Sequence, residues 1–67
     1  MTPTEFKKSV KHRLIDLDMT QADLILAVRE KTGMFLDVSY INKIYNGQKH
    51  PAKIMAAIRE ILDLPEE

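Results

Sequence analysis

Sixty-seven residues allow one domain, 1–67, and a chain this short buries only about 60% of the surface it exposes when unfolded, so its core needs nearly every apolar side chain. Cysteine is absent, which excludes a disulfide framework and a thiolate metal site, and the two histidines, His12 and His50, are too few for a metal cluster. Ten basic and ten acidic residues cancel to a formal net charge of zero, which argues against a nucleic-acid partner unless the charges are segregated along the chain.

Thr2-Pro3-Thr4-Glu5 reads as a helix start, with Thr2 as N-cap, Pro3 at the first helical position and Glu5 reaching back. The first helix is expected over 3–17. Phe6, Val10, Leu14 and Leu17 fall within an arc of about 80°, with Lys7, Lys8 and Lys11 beside it as a solvated flank. Arg13 lies inside the apolar arc, where its stem is expected to pack and its head to reach solvent. A second start follows: Thr20 as N-cap, Asp23 at the third helical position, and Met19 set to pack on Leu24 as a hydrophobic staple. The second helix, over 20–32, carries Leu24, Ile25 and Val28 inward until Gly33 stops it. Met34, Phe35 and Leu36 form an apolar bridge that is expected to fold onto the core.

The stretch from Leu36 to Gly47 is the centre of the chain. Asp37 can cap a helix and Gly47 can end it in the left-handed conformation, which brackets a helix over 38–46 that is too short to stand alone. Ile41, Ile44 and Tyr45 fall on one side with Val38 at the margin, while Ser39, Asn42, Lys43 and Asn46 fall opposite. An ordinary solvated face pairs Glu with Lys at i,i+4; this one has no acid and holds small groups able to pair with base edges. Gln48-Lys49-His50-Pro51 then makes a polar turn, and a fourth helix over 51–63 repeats Ile54, Ile58, Ile61 and Leu62 at i, i+4, i+7 and i+8, beside Met55 and Ala57, before Leu64-Pro65 ends it. Strand-type alternation is absent, so the expected fold is all-α: four short helices around one cluster of Phe6, Val10, Leu14, Leu24, Val28, Ile41, Ile44, Ile54, Ile58 and Ile61.

The charges are indeed segregated. Lys43, Lys49, Lys53 and Arg59 lie in a run from Val38 to Arg59 without Asp or Glu, and Glu60, Asp63, Glu66 and Glu67 close the chain. The alternative is a merely solvated surface; the helix embedded in the run favours a basic patch.

TQADL at Thr20–Leu24, DVSYINKIYNG at Asp37–Gly47 and Pro51 four residues on resemble helix-turn-helix domains of the lambda-repressor and Cro (XRE-like) type, the regulators of phages and mobile elements. The resemblance covers most of the chain and implies that the helix ending in Asn-Gly enters the major groove while the Thr-Gln step lies over the phosphate backbone. Carried over residue by residue, Ser39, Asn42 and Lys43 would meet bases, Gln21 would contact a phosphate and brace the reading helix, and Tyr40, Asn46, Lys49, His50 and Lys53 would stand at phosphates. Two features depart from the family. Arg29 to Phe35 adds about six residues, implying an enlarged turn between the second and third helices, and Ile25 stands where the family prefers Ala. Many members also pair an Arg with a Glu at the positions that are Leu14 and Tyr45 here. Both are apolar together, as replacement of a buried ion pair requires, so their side chains are expected to touch.

Two functions follow from these readings. One is a small transcriptional regulator, a repressor in its simplest form, that occupies double-stranded DNA without chemistry. The other is a protein-interaction module, an antirepressor or adaptor, that offers Met34, Phe35 and Tyr40 to a partner. An enzyme is not expected, because neither histidine has a nucleophile or acid arranged beside it, and no cofactor is called for. A weak homodimer, or a monomer that pairs only on DNA, fits the few apolar residues left after the core is filled. No apolar run nears the ~20 residues of a membrane span and the N-terminus lacks the pattern of a signal peptide, so a cytoplasmic protein with no membrane contact is expected.

Overall fold

The first three helices each open on a side chain that takes their free N–H groups. In the computed structural model, which describes residues 2–64, α1 (Pro3–Asp16) starts behind Thr2, whose hydroxyl accepts from the Glu5 N–H at 3.2 Å. Helix α2 (Gln21–Thr32) starts behind a reciprocal box in which Thr20 and Asp23 each accept the other's N–H at 3.1 Å. Helix α3 (Val38–Tyr45) starts behind Asp37, whose carboxylate accepts from the Tyr40 N–H at 2.8 Å. Each such cap contributes about 1 kcal/mol. Pro51, expected at the first helical position, is instead the N-cap of α4 (Ala52–Leu62), which starts one residue later, and no side chain caps that helix.

Three helices end in the same doubled turn, with the amide that follows a left-handed residue returning to a carbonyl five residues back. The pairs are Met19 N–H to Leu14 at 2.8 Å, Gln48 N–H to Lys43 at 2.9 Å and Leu64 N–H to Arg59 at 2.8 Å. The left-handed residue is Gly47 in α3 but Asp18 in α1 and Asp63 in α4, at φ 54° and 55°, where a side chain costs about 1 kcal/mol. Gly33 ends α2 at φ 68°. Every observed bound lies within one residue of the sequence expectation. Pro65, Glu66 and Glu67, the expected stop and acidic tail, lie outside the described residues.

Helix α2 packs on α4, α3 on α1, and α1 also meets α4; no strand occurs among the described residues. The resulting four-helix domain has a radius of gyration of 10.7 Å, close to the ~11 Å of a folded chain this long. Nine of the ten expected core residues are buried in one cluster, joined by Ile25, Leu36, Tyr45, Ala57 and Leu62. Ile61 is the exception: Leu62 turns inward at the end of α4 and leaves Ile61 half-buried at the edge. No helix among the described residues is long and apolar enough to cross a membrane.

The structure corrects several local expectations. Leu17 is 41% exposed, because α1 ends before it and the chain turns away. The apolar bridge divides: Leu36, beside the α3 cap, is fully buried, whereas Met34 and Phe35 stay outside at 41% and 65% exposure. Arg13 keeps about a third of its side chain exposed, yet its head is also held: its Nε donates to the Leu62 carbonyl at 2.7 Å, satisfying an oxygen that the end of α4 leaves free, and Asp16 sits 3.5 Å from the guanidinium. The added residues from Arg29 to Phe35 divide: most prolong α2, as its expected span to residue 32 requires, and the rest lengthen the turn. Arg29 to Thr32 are helical, the Thr32 hydroxyl donates to the Val28 carbonyl at 2.8 Å, and an ion pair of Lys31 with Glu60 at 2.8 Å ties this extra turn to α4. Only residues 33–37 link α2 to α3.

Candidate nucleic-acid interface

The candidate interface is the outer face of α3, and its placement depends on α1. Gly47 lies against Pro3 so closely that a Cβ on it would fall 3.0 Å from the Pro3 ring, which fixes the end of α3 on the start of α1. Tyr45 packs on Phe6 with ring centroids 6.4 Å apart and planes at 52°, and the Lys7 ammonium stands 6.0 Å from the Tyr45 ring. Ile41 and Ile44 complete the buried side of α3. The close approaches described above for α3 are to α1, while α2 and the start of α3 border one hollow lined by Ala22, Ile25, Leu26 and Val38.

The Tyr45 hydroxyl is enclosed without a hydrogen-bond partner. Burial disfavours its anion and pushes the phenol pKa up to about 12. Leu14, expected to touch Tyr45, is buried in the same cluster, and Phe6 and Lys7, from the opening turns of α1, also stand against the Tyr45 ring. The aromatic pair was not foreseen, since a helical stripe shows which residues face inward and leaves the neighbour across the interface open.

Ser39, Asn42, Lys43 and Asn46 are all exposed, on the side away from the core. Val38 joins them, at 55% exposure and one turn before Asn42; counting ~100° per residue had left it at the margin of the core side. The carboxylate nearest in sequence, Asp37, is engaged as the cap of α3. The row therefore presents amides, a hydroxyl, an ammonium and one apolar side chain, which can donate to, accept from and pack on base edges. Lys43 also stands in the last turn, where a cation is stabilised by the helix dipole whether or not it binds anything.

The residues expected at phosphates divide into groups. Asn46 is the C-cap of α3, and Lys49 and His50 are exposed on the turn that follows. His50 borders a cleft with Thr2, Pro3 and Arg59 on the α1 side, while Lys53 shares a hollow with Lys31 and Glu60 on the α2 side of α4. Tyr40 is half-buried against the core, and Gln21 is half-buried at the first position of α2 with no side-chain hydrogen bond among the described residues. Arg59, the last cation of the basic run, lies over the Phe6 ring at 5.6 Å and so belongs partly to the packing of α1 on α4. No group of three or more potential metal-binding side chains occurs among the described residues.

No family model, curated protein or solved structure matches this chain. Its functional reading accordingly rests on these side chains.

Proposed function

We propose that this chain is a sequence-specific double-stranded-DNA-binding regulator of the helix-turn-helix kind, which inserts α3 into the major groove and acts by occupying its site. The observation that carries the proposal is the exposed face of α3: polar or apolar throughout, free of acid, and opposite a fully packed side. Asn42 is assigned the central contact, since its amide can pair with adenine N6 and N7 together, and Ser39 and Lys43 read the flanking positions. Lys49, His50 and Asn46, on one turn beside α3, approach the adjoining phosphates. Lys53 approaches from the other flank of α4, and Tyr40 and Gln21 contribute at the backbone only if the DNA reaches the α2 side. Such a protein needs no enzyme chemistry and no cofactor, and its effect as a repressor is steric.

The test is equilibrium binding to DNA from the region upstream of its own gene, against random DNA, at several salt concentrations. Specific binding with a steep salt slope is expected. Lys49→Ala should weaken binding to all sequences alike and reduce the slope by about one, whereas Asn42→Ala should lose roughly 1 to 3 kcal/mol of discrimination with little change on random DNA. Equal losses on both DNAs would remove Asn42 from base reading. Binding without any sequence preference would instead favour a protein-interaction module, a reading that the exposed Met34 and Phe35 support.

A further inference from the structure

Leu26, Met34, Phe35 and Val38 are 56%, 41%, 65% and 55% exposed, and they are neighbours. Leu26, Met34 and Phe35 line one shallow hollow, and Leu26 and Val38 line the next. A continuous apolar strip therefore runs from the outer face of α2, over residues 34 and 35, to the first residue of α3. Contiguous exposure of this kind marks an interaction surface, unlike the scattered apolar residues of an ordinary exterior. Its rim carries both signs of charge: Arg29 borders both hollows, Glu30 the first and Asp37 the second.

We propose that this strip is the contact between two copies of this chain, packed about a two-fold axis. A two-fold contact sets a patch against itself, so a rim with a cation and acids complements its own copy, whereas a partner of one charge sign would be repelled at Arg29 or at the acids. The formal net charge of zero leaves no overall repulsion between copies. The four side chains expose on the order of 400 Å², about half of the ~800 Å² that each partner contributes to a stable interface. The dimer is therefore weak and dependent on concentration. Phe35 is its anchor, with the Arg29 guanidinium already 5.3 Å from its ring; aromatic and Arg side chains carry most interface energy.

The position of the strip has a regulatory consequence, which rests on the DNA reading above. Val38 ends the strip and also begins the exposed row of α3, so a copy seated on the strip covers the start of the reading face. Dimer formation and DNA binding exclude each other, and the monomer is the binding form.

Sedimentation velocity without DNA, from about 5 µM to about 1 mM, tests the contact across the affinity range of weak interfaces. Wild type should move from monomer to dimer, and Phe35→Asp should weaken association at least ~30-fold. Ile15→Asp, at a residue 79% exposed outside both hollows, should behave as wild type, with circular dichroism verifying that both variants fold. Arg29→Glu and Glu30→Arg should each fail to associate alone and associate when mixed, since each supplies the sign that the other lacks. A wild type that stays monomeric throughout, or a Phe35→Asp variant that associates as wild type does, overturns the contact. With DNA added, Phe35→Asp should match wild type at low concentration and bind better where wild type dimerises. Dimer that binds DNA as tightly as monomer overturns the exclusion; absence of DNA binding by either protein overturns the DNA reading and leaves the sedimentation result to decide the contact.

Discussion

Tyr45→Phe should stabilise the protein. The hydroxyl is enclosed without a partner in a side chain only 4% exposed, and an unsatisfied buried polar group costs about 1 to 3 kcal/mol. Removing one oxygen leaves a void smaller than a methyl group, which returns part of that gain, so a net stabilisation of about 0.5 to 2 kcal/mol is expected at pH 7. For a domain of this size each kcal/mol corresponds to a rise of about 4 to 8 °C in Tm. The chain has no tryptophan, so urea and thermal unfolding are best followed by far-ultraviolet circular dichroism. A second signature lies at high pH. The phenol is neutral in both states below its ordinary pKa of 10.0, but above it only the unfolded chain ionises until the folded value of about 12 is reached. Wild-type stability should accordingly fall as pH rises from 10 towards 12, by up to about 1.4 kcal/mol per pH unit from this group. Tyr45→Phe lacks that loss, so the gap between variant and wild type should widen. A variant no more stable than wild type at pH 7, with a gap that stays constant to pH 11, would refute the orphaned hydroxyl.

Ile58→Ala, at a fully buried residue of α4, should cost on the order of 2 to 5 kcal/mol and leave little folded protein at 37 °C, as a melting curve would record. Gly47→Ala combines a strained φ of 79° with a Cβ 3.0 Å from Pro3; denaturant titration should show a loss of more than ~1 kcal/mol. At Asp63 and Asp18 the opposite substitution applies. Glycine there relieves a left-handed side chain, and a gain of up to about 1 kcal/mol in chemical denaturation is expected from each. Arg13→Met keeps the packed stem and removes the donor to the Leu62 carbonyl, so a loss of about 1 to 3 kcal/mol, with faster hydrogen exchange at the end of α4, should follow.

The helices and their ends were legible in the sequence because caps act over three or four residues. Thr2, Thr20 and Asp37 each satisfy N–H groups in their own first turn, and Gly33 and Gly47 end helices by their own backbone conformation. The polar row of Ser39, Asn42, Lys43 and Asn46 was legible for the same reason, since the helical period alone sets it opposite Ile41 and Ile44. Asp18 and Asp63 escaped notice as left-handed positions because glycine is the usual mark of such a turn. The partner of each inward face was decided only in three dimensions. A period of 3.6 residues shows which side of a helix is apolar and is silent on which other helix covers it. Hence the packing of α3 on α1, the aromatic pair Phe6–Tyr45 and the approach of Gly47 to Pro3 appear only when the chain is folded. The same limit hid Arg13, whose acceptor lies 49 residues away in sequence, and it hid the division of Leu36, which is buried, from Met34 and Phe35, which share its apolar character and stay outside.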